Sequence, residues 1–572
     1  MVERTHSPFM PSHEERMSPN PAQPKVKKAP TPVSVHFLGT CSVDFGNNIW
    51  LFDAADGTNN RLHQSSLRMV NISRIFVTHM HADHVLGIVA ILAVVMSGVG
   101  QTPEGLERLR KQGVNKKADI NIYGPVGLRE FIRNIFRITT ATLTGAFAVH
   151  ELIPEGSQPS AGCSPEELHV NEAVGRDIYA NAEGVWETIV DEALFKGNKG
   201  WSVNAGPLVH RVPSIGYVLK EPDPTHPLDH QRLIPLLQAN SKALAAMDPP
   251  IKHPLSVLSH LTSLPRPPPF TLPSGEVLHP PEPTGEQGRK LVIFGDCSGG
   301  TPNKALQALC SNASLLIHEC TNAAIPESVQ KGDKGRAVRA SGLEQSLEKK
   351  RDKEFELAAK DRGVAREPWV FHGRHDTLAA AVAAEDEFEA KRIQVRKKAQ
   401  SRGHSTPDDV GEFANTIGAR RVVVNHFSAM FPSPKYTTND PFPSLLSRMS
   451  PFPYPTTSAA YHEANTPAKP LHPSELHLRV IMQSLVNQIS AAWNGRDCED
   501  HAVQGPEQHF VRLAVPSRDF MVIRVPSHEL TEHEMDTMRE AREEIVYVMK
   551  SWADYGGAWV EEDGEEKRWV GV

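Results

Sequence analysis

The sequence predicts an α/β layered fold, and three observations lead there. Short runs rich in Val, Ile and Phe recur along the chain, amphipathic helical spacing falls between several of them, and polar residues stand directly after the strand-like runs. With 572 residues and 39% hydrophobic content, the chain can bury at least one sizeable core, while its 46 prolines point to many loops and insertions.

Taken in order, the polar, proline-rich stretch 1–32 reads as a disordered tail with no apolar segment of the secretory kind. Strands are expected at Val33–Leu38, Ile49–Phe52, Arg74–Thr78, Ile120–Tyr123, Leu291–Gly295, Leu315–His318 and Arg421–Asn425, with a strand-like Gly216–Leu219 as well. Val85–Gly100 is the longest apolar run. It is shorter than the roughly 20 residues that span a bilayer, so a buried helix is expected. Leu128, Phe131, Ile132, Ile135 and Phe136 keep the spacing of one helix face. Val410, Phe413, Ala414 and Ile417 repeat it, with Thr406 as N-cap, Pro407 as first helical residue and Gly418 as the stop.

Between these elements, segments near 143–200, 221–289, 323–403 and 432–510 read as insertions into a main domain spanning 33–526. The proline-dense 221–289 is expected to be an extended excursion. The charged 323–403 should hold helices around Leu343–Lys360 and Thr377–Lys398, and Pro432–Pro473 should be irregular. A C-terminal helical extension, 527–572, is expected from the apolar side formed by Met535, Met538, Ile545, Met549 and Trp552.

A net charge of −7 means that any anionic substrate must be held by a local patch or by metal ions. Six dispersed cysteines with no C-x-x-C spacing argue against a thiolate zinc ribbon and a disulfide framework, and for a reducing compartment. Acidic residues near the N-terminus count against a mitochondrial leader. The expected location is intracellular, in nucleus or cytoplasm, with no membrane partner.

The strongest chemical signal is Thr78-His79-Met80-His81-Ala82-Asp83-His84, directly after a strand and before an apolar helix. Imidazole nitrogens and carboxylate oxygens suit zinc and similar borderline ions. Alternate residues His79 and His81 can face one ion, and Asp83 and His84 a neighbouring one. A chance histidine-rich surface loop is a poor account of this placement. Further donors stand at strand ends or beside strands: His210, Asp296 and His426. Each alone reads as easily as a cap or a satisfied core residue. His372-Gly373-Arg374-His375-Asp376-Thr377 is best read as the capped start of an alanine-rich helix.

Several anchors resemble the ribonuclease Z family of tRNA 3′-processing endonucleases, within the metallo-β-lactamase superfamily. They are Phe37-Leu38-Gly39-Thr40, Phe52-Asp53-Ala54-Ala55-Asp56-Gly57-Thr58, Ile122-Tyr123-Gly124-Pro125, His318-Glu319-Cys320-Thr321, His404-Ser405-Thr406, His426-Phe427-Ser428 and Arg518-Asp519-Phe520-Met521. They occur in family order from about Val33 to Pro526. The resemblance implies an αββα metallo-β-lactamase sandwich carrying the inserted segments and the C-terminal helix.

The resemblance also implies two zinc ions with a bridging hydroxide: His79, His81 and His210 on one ion, Asp83, His84 and His426 on the other, and Asp296 between them. Such a pair can stabilise both attacking and leaving oxygens of a phosphodiester. Asp83 would orient or deprotonate the nucleophile, and Glu319 with His404 would protonate the leaving 3′ oxygen. Precursor tRNA is the implied partner, and a homodimer is compatible with the family.

Two departures stand out. Cys41 replaces a usual glycine and the Lys-x-Arg-Asn segment that normally follows is missing; after His426-Phe427-Ser428 the chain reads Ala429-Met430-Phe431 where the family tends to have an Arg. Both remove phosphate contacts and neither touches a metal donor. The inserted 221–289 arm is also poor in Lys and Arg for a phosphate grip. Lys391–Arg402, just upstream of His404, is the better basic candidate, although a solvated helix end explains it as plainly. The alternatives to tRNA cleavage are a hydrolase of small phosphodiesters such as cyclic nucleotides, a related non-RNA hydrolase, or a silent binding module.

Overall fold

In a computed structural model of the chain, the expected strands assemble into two mixed sheets. The structure describes residues 33–97, 102–191, 200–264, 266–325, 378–428, 430–431, most of 481–493, 514–517, 519 and 521–525, with the backbone of 558–562 and 566–570. The proposed tail 1–32, the helix near 343–360, the cluster His372–Thr377, the stretch 432–473 and the helix 529–552 lie outside them. Among the described residues, the last elements are paired strands Ala558–Glu562 and Glu566–Val570.

The first sheet runs, edge to edge, through Val522–Arg524, Ser34–Phe37, Cys41–Asp44, Ile49–Phe52, Ile72–Phe76, Ile120–Pro125, Phe147–Ile153 and Glu172–Ala173, with Asp177–Tyr179 also on Phe147–Ile153. Pairing is antiparallel up to Ile49–Phe52 and parallel from there on. The second runs through Val515–Pro516, Val422–Asn425, Leu315–Glu319, Lys290–Phe294, Ser214–Lys220, Ser202–Leu208 and Trp186–Asp191. Here the parallel half comes first, from Val515–Pro516 to Lys290–Phe294.

Strand alternation explains the layering. Leu291, Ile293, Leu315, Ile317 and Val423 point inward and meet Trp50, Phe52 and Phe76 of the first sheet. Phe76 lies between Phe52 and Tyr123, with ring centroids 4.9 Å and 5.1 Å apart from theirs respectively in its two stacks. Val292, Phe294, Leu316, Val422 and Val424 point the other way, under Leu306, Val410, Phe413 and Ile417. On the far face of the first sheet, Leu51, Ile75, Val77 and Ile122 are covered by Ile88, Ile91, Leu92, Leu128, Ile132 and Phe136. The result is helices, sheet, sheet, helices, as an αββα sandwich requires.

The expected helices form at Leu128–Thr139, Leu378–Gln400 and Pro407–Thr416. Asp409 completes the cap of the last by accepting from Thr406 N and Oγ1 at 2.9 Å and 2.8 Å. The apolar run after the histidine motif forms two helices, Ala82–Val85 and Ile88–Val95. The break falls where Gly87 presses against the backbone after Phe52, and a Cβ there would sit 2.0 Å from the Ala55 carbonyl oxygen.

Two expectations about insertions are corrected. The segment 143–200 contributes core strands, Phe147–Ile153 and Trp186–Asp191. Phe147–Ile153 is buried throughout, and its polar pair His150-Glu151 interrupts the apolar run that would have revealed it. Both are satisfied internally: Glu151 accepts from Gly127 N, Arg129 N and Ser160, while His150 bridges Asn121 and Arg176 N. The segment 221–289 is not extended but folds around its own small core of Leu233, Leu237, Leu244, Val257, Leu261 and Leu278. Helices His230–Ala239, Ser241–Ala245 and Ser256–Leu261 carry most of it, because leucines recur at helical spacing between the prolines. The described residues between 481 and 493 are also helical and cover the second sheet with Leu485, Ile489 and Trp493.

His150 yields a pH prediction. Burial, then Arg176, Arg129 and Arg74, push its imidazole down to about 3. Because Nδ1 accepts from Arg176 N at 3.0 Å, protonation would break that bond. The folded pKa lies below the unfolded one, so the unfolded chain binds more protons between about pH 6.5 and 3 and stability falls as pH drops through that window. The stability advantage of wild type over His150→Gln, from denaturant midpoints, is expected to shrink between pH 7 and pH 4. A gap independent of pH would refute this.

Candidate metal centre

Parallel strands end together, and the site is built on those ends. Asp53 follows Ile49–Phe52, His79 follows Ile72–Phe76, Asp296 follows Lys290–Phe294, Glu319 closes Leu315–Glu319 and His426 follows Val422–Asn425. Both sheets therefore point their C-terminal edges at one place. Two residues there hold unusual backbone: Asp53 at φ 61° and His426 at φ 55°.

The donors anticipated from sequence converge in overlapping groups. His79, His81, His210 and Asp296 form one; Asp83, His84 and His426 form a second; Asp296, His404 and His426 form a third that shares a member with each. In the first, His81 Nδ1 lies 3.0 Å from His79 Nε2 and 3.3 Å from His210 Nε2. Asp296 Oδ2 is 3.7 Å from His79 Nε2 and 4.0 Å from His210 Nε2. In the second, His84 Nε2 is 3.6 Å from both Asp83 Oδ2 and Asp296 Oδ1, while His426 Nε2 is 3.6 Å from Asp83 Oδ2. Asp296 Oδ2 also lies 3.3 Å from His426 Nε2, so this carboxylate faces both groups. Tetrahedral ligands about 2.0–2.1 Å from zinc are separated from one another by about 3.3–3.4 Å, which these spacings bracket.

Hydrogen bonds behind the donors set the imidazole tautomers. His84 Nδ1 donates to Asp53 Oδ2 at 2.7 Å, and His210 Nδ1 donates to the Gly403 carbonyl at 2.6 Å. Thr78 Oγ1 donates to Asp53 at 2.8 Å and so can accept from His79 Nδ1 at 3.0 Å. Likewise Thr321 Oγ1 donates to Glu319 at 2.6 Å and accepts from His426 Nδ1 at 3.0 Å. In each case Nε2 is left facing the interior, where the neutral imidazole can offer its lone pair to a metal. His84 Nε2 is a buried nitrogen with no hydrogen-bond partner, aimed at two carboxylates. A cation is what this donor set fits.

Electrostatics agree. Burial, reinforced by His84, His210 and His81, lowers the His79 imidazole to about 2 and keeps it in the neutral, ligating form. Burial raises the Asp296 carboxyl despite His426 and His84. His426 is lowered by burial but raised by Asp83, Asp296 and Glu319 to a net value of about 9, a measure of the negative field in the cavity. Asp83 is held below the usual carboxylate range mainly by His426.

Beside the donors lies a second pair. His404 Nδ1 donates to Glu319 Oε1 at 3.1 Å and is 3.8 Å from Asp296 Oδ2. Glu319 is buried, yet its carboxyl is lowered because His404, His426 and Thr321 outweigh the effect of burial, so it remains an anion. It also accepts from Cys297 N and Thr321 N. The loop presenting His404 is pinned: Ser405 Oγ donates to Cys297 O at 2.6 Å, and Gly403 needs φ 80° while a Cβ there would meet His210 Nδ1 at 2.6 Å.

Half of the six cations in the basic run Lys391–Arg402 are committed elsewhere. Arg392 pairs with Asp408 at 2.5 Å and Arg396 with Asp409 and Glu412 at 2.8 Å and 2.6 Å, tying this helix to the next. Lys391 donates to the Ile325 carbonyl. In the 221–289 arm, Arg232, Arg266 and Arg289 are paired with Glu276, Glu282 and Glu221.

With this geometry in hand, relatives are informative. A human zinc phosphodiesterase, ELAC protein 1, is 32% identical over 281 residues, which span 48% of this chain and 68% of that protein. The chain belongs to the ribonuclease Z/ELAC zinc phosphodiesterase family. The bovine family member is 31% identical over 279 residues, and a ribonuclease Z of Lactiplantibacillus plantarum is 26% identical over 281 residues, covering 49% of this chain and 67% of that enzyme. No family model matches the chain. The crystal structure of human tRNase Z, short form, is a similar solved structure, with a TM-score of 0.36, 22% identity, and coverage of 70% of this chain and 93% of that one. Membership makes a metal-dependent phosphodiesterase of this chain, and zinc the metal its donor set fits.

The family motifs marked Asp53 only as part of an acidic segment, and its support of Thr78 and His84 was not anticipated. The signal was present, since Asp53 is another acid directly after a strand. Thr321 too was marked only as part of a motif, and its role was not anticipated because a hydroxyl bridging three side chains leaves no sequence signature. Asp53→Asn is expected to weaken zinc binding about 10–100-fold, as loss of a carboxylate behind a ligating His does. Competition against a chromophoric chelator would measure it, and an unchanged zinc affinity would remove Asp53 from this role.

Proposed function

We propose that the chain is a zinc-dependent endoribonuclease that hydrolyses one phosphodiester to remove the 3′ trailer of precursor tRNA. The observation that carries it is the convergence of seven donors in two groups joined by Asp296, with the Glu319–His404 pair alongside. His79, His81 and His210 would hold one ion, Asp83, His84 and His426 a second, and Asp296 would bridge them. Bound zinc supplies Lewis acidity toward the phosphoryl oxygens and makes water a better nucleophile near neutral pH. Asp83, 65% exposed at its side chain, orients that water and accepts its proton. His404, oriented by Glu319 through Nδ1, donates from Nε2 to the departing 3′ oxygen. The dispersed cysteines, unpaired at all five described positions, support a reducing compartment, nucleus or cytoplasm. Among the described residues, no helix is long and apolar enough to cross a membrane.

The test is incubation of purified protein with a precursor tRNA and with bis(p-nitrophenyl) phosphate, each with and without chelator. Endonucleolytic release of the trailer, lost on chelation and restored by zinc, is the expected result. Cleavage of the small ester alone would overturn the tRNA assignment and leave a small-phosphodiester hydrolase. That second reading draws on the neutralised arginines of the 221–289 arm.

A further inference from the structure

The residues that would replace the missing basic contacts come from two segments, the end of the basic run and the loop that follows His210. Arg392 and Arg396 are occupied by carboxylates, but Arg402 is exposed at the end of the same helix, two residues before His404. Across from it stands Arg211, exposed and directly after His210. The two backbones touch: His210 Nδ1 donates to the Gly403 carbonyl at 2.6 Å, and a Cβ on Gly403 would lie 3.0 Å from Arg211 N. Among the described residues, neither guanidinium is within ion-pair distance of a carboxylate. Every other arginine of the 221–289 arm and of the helix Leu378–Gln400 has such a partner.

Resting on the RNA reading above, we propose that Arg211 and Arg402 form a phosphate-holding edge that grips an RNA backbone phosphate next to the scissile one. A guanidinium presents paired donors that match phosphate oxygens, and its charge releases counterions on binding. The edge lies on the His81/His210 side, beside His404. This makes the pair positioning residues that act on substrate binding, with proton transfer and zinc binding left to the groups already described.

The zinc-loaded full chain is compared with its R211Q/R402Q and R211K/R402K variants for KM and kcat on precursor tRNA and on bis(p-nitrophenyl) phosphate. The salt dependence of binding to a single-stranded oligoribonucleotide is measured in parallel. In the Gln variant, KM for precursor tRNA is expected to rise about tenfold or more with kcat changed less than about threefold. The slope of log affinity against log salt should fall by about 0.7 for each arginine that contacts a phosphate. The KM effect on the small ester should be several-fold smaller, because that ester has no neighbouring phosphate. The Lys variant should restore the slope but only part of the KM. An unchanged slope and KM in the Gln variant would overturn the proposal, as would equal losses on both substrates. Failure of the unmodified chain to cleave precursor tRNA would sink the RNA-processing reading instead, and the oligonucleotide slope would still decide the fate of the arginine edge.

Discussion

Asp296→Ala is expected to reduce turnover by about 10³-fold or more and to lower the zinc content of the protein at both sites together. Asp296 faces both donor groups, with Oδ2 3.3 Å from His426 Nε2 and 3.7 Å from His79 Nε2. On the proposed two-ion arrangement, its removal would take a ligand from each ion, and with them the several kcal/mol that metal ions contribute to stabilising phosphoryl charge, each 1.4 kcal/mol being a factor of ten. The fold should survive. Burial raises the carboxyl, so its charge is disfavoured in the metal-free protein and is not what supports the core. Metal analysis, turnover and the melting temperature of the metal-free form separate these effects. A variant that keeps two equivalents of zinc and most of its activity would refute the bridging role.

The second large effect is at His404. His404→Ala and Glu319→Gln are each expected to lower kcat on precursor tRNA about 10²–10⁴-fold with zinc content unchanged, the usual range for loss of a general acid. The loss on bis(p-nitrophenyl) phosphate should be far smaller, since p-nitrophenolate leaves without needing a proton. That difference between substrates is the signature of an acid acting on the leaving group. An equal fall on both would instead indicate a collapsed site, which is a real risk for Glu319 because it also holds Cys297 N and the Thr321 hydroxyl. His404→Ala removes only the imidazole and is the cleaner of the two.

Local chemistry made much of this protein legible from sequence. A strand followed by His-x-His-x-Asp-His declares itself within a few residues, and so does a helix opened by Thr406-Pro407 and closed at Gly418, where φ is 62°. The types of donor at His210, Asp296 and His426 were also visible, because each stands at or beside a strand. Strand Phe147–Ile153 was not, since its buried His150 and Glu151 look polar until Asn121, Arg176, Gly127 and Ser160 are seen around them. The leucines of 221–289 were masked in the same way by the prolines between them.

By itself, then, the sequence determined which side chains can bind a metal or move a proton, and which short segments bend into strand or helix. Those preferences act over a handful of residues. Only the tertiary structure decided how closely the donors stand to one another, that Asp53 stands behind His84, and that Arg392 and Arg396 are tied to the neighbouring helix while Arg402 is left beside Arg211. These outcomes depend on sheet order and on contacts between segments nearly 200 residues apart, such as His210 and Gly403, whose separation in space no local pattern encodes.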